Sequence, residues 1–79
     1  MNIDDKLFYI NTMLRQGDFH ITGFLLTKDY IFLKAYKVRN SYYFIIPRNA
    51  SKLSLDSVDK LMRYNTINDN KTPLSFLNL

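Results

Sequence analysis

The 79 residues contain no cysteine, no glutamate, one histidine and two glycines. Each scarcity closes off a class of chemistry. Without cysteine there are no disulfides, no thiol catalysis and no cysteine-ligated zinc. The lone histidine, His20, rules out a multi-histidine metal centre and gives no basis for a Ser-His-Asp arrangement. Gly17 and Gly23 lie too far apart for a phosphate-cradling loop. No apolar run approaches the ~20 residues that cross a bilayer. The opening MNIDDKLF lacks the basic-then-apolar pattern of a secretory leader. The expectation is a soluble, cytoplasmic protein with no metal, no cofactor and no membrane partner.

What the chain does hold is apolar surface. Hydrophobic residues make up 47% and aromatics 15% of it, which is rich for the single domain, residues 1–79, that its length predicts. A body of this size buries only roughly 60–65% of the surface its unfolded chain exposes. Small domains compensate with disulfides, metals or association. With the first two gone, contact with a second copy or another protein is expected. Eleven Lys or Arg against seven Asp give a formal charge of +4 and a pI near 9.5, which suits solubility or an anionic partner. Acid residues that are all aspartate, among abundant Asn, Ile, Lys, Tyr and Phe, fit an AT-rich mesophilic genome rather than a hyperthermophile. Size and bias together are similar to those of phage and mobile-element accessory proteins, which often block a host protein.

Periodicity predicts an α+β fold of order αβββα. Ile3, Leu7, Ile10 and Leu14 trace one face of a helix over residues 3–16, with Asn2 as its cap, Asp4 and Asp5 at the positive end of its dipole, and Gly17 as its stop. Three strands in a meander follow at about 19–26, 30–39 and 42–47. Lys28-Asp29 and Asn40-Ser41 are the turn centres, Pro47 ends the third strand, and Gly23 marks a bulge or a close backbone contact. A second helix over about 55–65 starts from a Ser54 cap and carries Leu55, Val58, Leu61 and Met62 as its apolar stripe. The tail over 66–79 takes in most of the polar stretch NTINDNKT and then an apolar end, where Leu74, Phe76, Leu77 and Leu79 are expected to dock on the domain or a neighbour. Both helices are expected on one face of the sheet. The Asp4-Asp5 and Asp56/Asp59 pairs sit at helix starts, where dipole and cap roles account for them.

Two-residue turns in both hairpins would place Phe19, Ile21, Gly23 and Leu25 with Phe32, Lys34, Tyr36, Val38, Tyr43 and Ile45. The other face would then hold His20, Thr22, Phe24, Leu26, Ile31, Leu33, Ala35, Lys37, Arg39, Tyr42, Phe44 and Ile46. Neither set is polar, so whichever face the helices leave open is expected either to offer an apolar patch or to be covered by the C-terminal tail. This frames the segment YIFLKAYKVRNSYYFIIPRN, where aromatic and basic residues alternate.

Three functions are expected from it. The first is a non-enzymatic protein-binding module, an adaptor, inhibitor or homodimer, using Phe24, Leu26, Ile31, Leu33, Tyr42 and Phe44. The second is a nucleic-acid-binding regulator, with Lys34, Lys37, Arg39, Arg48 and Lys52 on phosphates and Tyr36 and Tyr42 stacking on bases. The third is a metal-independent ribonuclease built on His20, Lys37, Arg39 and Tyr42, an imidazole among cations. The element order is similar to that of the double-stranded-RNA-binding domain. The turn TKDY and the helix entry RNASKLSLDS lack that family's loop histidine and lysine run, so the likeness ends at the order of elements.

Overall fold

The computed structural model describes residues 2–66. In chain order it has α1 (Ile3–Gln16), β1 (His20–Leu26), β2 (Tyr30–Lys37), β3 (Asn40–Pro47), a 3-10 turn (Lys52–Leu55) and α2 (Val58–Met62). The strands form one antiparallel sheet in the order β1-β2-β3, and both helices lie on the same face. The fold is therefore the mixed α+β arrangement that the periodicity predicts.

The first helix forms as expected. The Asn2 side chain accepts the Asp5 N–H at 2.8 Å, and Ile10 and Leu14 are fully buried. Its end is more specific than a glycine stop. Asp18, not Gly17, takes the left-handed conformation (φ 68°), and the Phe19 N–H returns to the Leu14 carbonyl at 2.9 Å. Gly17 is required for space, since a Cβ there would stand 2.8 Å from a methyl of Val58 in α2.

The β1–β2 hairpin turns at Lys28-Asp29 as predicted, pairing Leu26 with Ile31, Leu25 with Phe32 and Phe24 with Leu33. A bulge then interrupts β1 between Ile21 and Gly23, leaving Thr22 without a counterpart on β2. Gly23 flagged this feature; its consequence did not follow from the flag. An extra residue reverses the side-chain parity of everything before it. Phe19 and Ile21 therefore join the helix side, and His20 turns the other way, opposite Tyr36.

In the second hairpin the turn is Val38-Arg39, not Asn40-Ser41, because Lys37 pairs with Asn40. Moving the turn by two residues shifts the register by four and leaves the faces unchanged. The observed register aligns Ile31 with Ile46, Leu33 with Phe44 and Ala35 with Tyr42 along the full strands. Its cost is Val38, a β-branched residue held at φ 58° in the turn.

The second helix is shorter than predicted and is broken in two. Lys52–Leu55 is a 3-10 turn, and α2 begins only at Val58. The Ser54 hydroxyl donates to the Ser51 carbonyl at 2.7 Å, while the cap of α2 is Ser57, which accepts the Lys60 N–H at 3.2 Å. Short polar side chains that bond their own backbone compete with a continuous helix. Leu55 and Leu61 nonetheless reach the core, with Val58 and Met62 packed beside them. The end of the predicted helix and the start of the expected loop instead run along β3 as residues 64–66, with the Ile45 N–H donating to the Tyr64 carbonyl (3.0 Å) and the Thr66 N–H to the Tyr43 carbonyl (2.7 Å). The rest of the polar stretch and the apolar tail lie outside the described residues.

Two substitutions test these backbone readings. Gly17→Ala should lower stability by about 1–2 kcal/mol through overpacking, and Val58→Ala in the same chain should relieve most of that loss in a double-mutant cycle read by denaturant unfolding. Val38→Gly should raise stability by about 1 kcal/mol, because glycine tolerates the turn geometry that valine resists.

Candidate functional site

Alternation along the strands sends Ile31, Leu33, Ala35, Phe44 and Ile46 toward the helices, where all are fully buried. The opposite face is built in cross-strand rows. Leu25, Phe32 and Ile45 form one row; Gly23, Lys34 and Tyr43 the next; His20, Tyr36 and Ser41 the third. Tyr30 sits beyond the first row, with its ring centroid 5.9 Å from that of Phe32. Leu25, Tyr30 and Tyr36 are 40–44% exposed, and Phe32, Tyr43 and Ile45 are half-buried. Lys34 stands among these rings with its ammonium 5.8 Å from the centroid of Tyr43. The result is a broad aromatic surface with one cation near its middle.

This surface is not the one chosen from the sequence. Of the residues expected to bind protein, Ile31, Leu33 and Phe44 are fully buried beneath the helices. Leu26 and Tyr42 are partly buried against that core. Tyr42 meets Phe19 edge-on at 5.1 Å. Only Phe24 is well exposed, at 55%, at the rim of the helix side. The pattern showed two apolar phases and a helix layer able to cover one; the covered phase is the one that had been assigned to a partner.

The residues expected to hold nucleic acid are dispersed. Lys34 and Tyr36 share the outer face. Lys37 lies on the helix side with its ammonium 4.8 Å over the ring of Phe19. Arg39 is exposed in the second turn. Arg48 is structural: its guanidinium donates to the Thr27 carbonyl at 2.9 Å, and its own carbonyl accepts from the ammonium of Lys6. Lys52 covers the ring of Tyr9 at 5.1 Å. The ribonuclease grouping does not assemble either, because the bulge moves His20 to the face opposite Lys37 and Tyr42.

The chain matches no family model, no curated protein and no solved structure. The surface itself is therefore what bears on function. Sequence reasoning did not single out Leu25, Tyr30, Phe32, Tyr43 and Ile45, which lie on this outer face. The only signal for them was their membership in the second apolar phase. It also missed Lys6, a helix residue only 8% exposed, which lines a hollow with Asn49, Ala50, Ser51 and Lys52. No spacing rule marks a lysine for burial.

Unfolding measurements separate the two faces. Leu33→Ala should cost about 2–5 kcal/mol as a core truncation, whereas Tyr36→Ala should change stability by no more than about 0.5 kcal/mol.

Proposed function

We propose that this chain is a small, non-catalytic, cytoplasmic protein-binding module that takes a partner protein on the outer face of its sheet. The observation that carries the reading is the incomplete burial of Leu25, Tyr30 and Tyr36 beside Phe32, Tyr43 and Ile45. Apolar area left in water forgoes about 25 cal/mol per Å² that a partner's surface would recover. Contiguous apolar patches on small domains mark interaction sites. Tyrosine suits the role, since it offers wide contact area with few rotatable bonds and a hydroxyl for the rim. Composition adds a class of partner by analogy: accessory proteins of phages and mobile elements of this size act by occluding a host protein.

A second reading rests on Lys34, which is placed among Tyr30, Phe32, Tyr36 and Tyr43 as a phosphate contact on a stacking platform would be. It stands lower because Lys37, Arg39, Arg48 and Lys52 lie away from that platform, leaving one cation to hold a polyanion.

A salt-dependent titration against labelled single- and double-stranded DNA and RNA decides between them. Protein binding predicts no association at physiological salt. A photo-crosslinking residue at Tyr36 should capture one cellular protein that the same residue at Asp59 does not. Tight binding to nucleic acid that weakens with salt at a slope of several released ions would place nucleic acid first.

A further inference from the structure

The outer edge of β3 is occupied by Tyr64–Thr66, so among the described residues β1 is the open edge of the sheet. The Thr27 N–H donates to the Tyr30 carbonyl at 3.0 Å where the first hairpin closes. Hydrogen-bonded pairs alternate along an antiparallel ladder. Leu25 therefore bonds inward to β2, while Phe24 and Leu26 turn their N–H and C=O outward. From His20 to Leu26 there is no lysine, arginine, acid or proline, the residues that usually blunt an edge. The regular stretch of the edge is residues 23–26, with the bulge at Thr22 just before it, so a strand paired about Phe24 meets the bulge opposite Leu26.

Beside this edge, on the helix side, is a hollow of about 260 Å³ lined by Leu7, Phe8, Asn11, Ile21, Phe24 and Leu33. Phe8 is 74% exposed, a high value for a phenylalanine next to an unfilled apolar space. At 100° per residue, Asp4, Leu7, Phe8, Asn11 and Arg15 fall on one flank of α1, the flank that borders the hollow. Asp4 and Arg15 are exposed at opposite ends of that stripe. Neither makes an ion pair among the described residues, where the salt bridge joins Lys60 to Asp56.

We propose that a second copy of this chain occupies the edge, with the two β1 strands pairing antiparallel about a two-fold axis that passes between the Phe24 residues, perpendicular to the sheet. Phe24 then exchanges backbone hydrogen bonds with its own counterpart, and the sheet becomes six-stranded. The axis lays the two α1 helices side by side and antiparallel on one face. The two hollows merge and are closed by Phe8 and Phe24 from both copies. The same operation carries Asp4 of each helix toward Arg15 of the other. A stripe that is acidic at one end, apolar in the middle and basic at the other is complementary to its own reverse, as a two-fold interface requires. The dimer leaves the outer face free, so it stands independently of the partner-protein reading.

The test is sedimentation equilibrium of the full chain over a range of concentrations, with amide exchange followed at Phe24 and Leu26. The expected mass is that of two chains, with slow exchange at both amides that becomes fast on dilution. Asp4→Arg alone, or Arg15→Asp alone, should weaken dimerisation about tenfold by turning both cross-pairs repulsive, and the two together should restore it to within about threefold. Phe24→Pro should abolish the dimer while circular dichroism stays unchanged, because the lost N–H is not bonded to β2. A monomer up to about 1 mM would overturn the proposal. So would a dimer insensitive to the single charge swaps, or a double swap that fails to restore it. Slow exchange at Phe24 that ignores concentration would mean that the chain covers its own edge. Loss of the dimer in Tyr36→Ala would place the contact on the outer face instead, and either result sinks the β1 pairing.

Discussion

Thr22 stands in β1 with nothing opposite it on β2, and the way Phe19 and Ile21 join the helix side follows from that extra residue. A regular ladder running from the Lys28-Asp29 turn would have sent Phe19 and Ile21 to the outer face. The bulge reverses their parity, so that Ile21 joins Leu33 and Phe24 at the edge of α1. Phe19 becomes a core residue, 3% exposed. There its ring meets Tyr42 and Phe44 edge-on, centroids 5.1 and 5.9 Å away, and lies under the Lys37 ammonium. Its N–H also closes the end of α1 on the Leu14 carbonyl. By setting the side on which Phe19 lands, the inserted residue lets Phe19 tie the end of α1 to the sheet through one backbone hydrogen bond and edge contacts with two rings of β3.

The opposite end of the sheet is held by long basic side chains working as struts. Arg48 reaches the Thr27 carbonyl with its guanidinium, gives its N–H to the Asp29 carbonyl at 2.8 Å, and receives the Lys6 ammonium on its own carbonyl. It therefore ties the first turn, the exit of β3 and α1 together. Lys37 and Lys52 spend their charge over aromatic rings of the same chain. A positive net charge in so small a protein is thus partly a structural device.

The helix layer is short and one-sided. With α2 only five residues long and preceded by a 3-10 turn, there is not enough helix to cover two faces. The face it covers becomes the core. The other keeps Leu25, Tyr30 and Tyr36 partly in water, and the β1 edge keeps the outward groups of Phe24 and Leu26. Both surfaces lie where the described helices do not reach.

Much of the architecture could be read along the chain. The extent of α1 follows from the spacing of Ile3, Leu7, Ile10 and Leu14, the first turn from Lys28-Asp29, and the end of β3 from Pro47, because local geometry and local capping decide such features. Gly23 even marked the bulge. The site could not be read in the same way. Strands with apolar residues in both phases carry no record of which phase is buried, so three of the six residues assigned to a partner, Ile31, Leu33 and Phe44, are core. The sequence by itself determined the order of elements, their approximate limits and the surplus of apolar surface. Only the tertiary structure decided which face meets water and how the strands align. Those choices depend on one extra residue at Thr22, on the turn falling at Val38, and on where two short helices find room to pack.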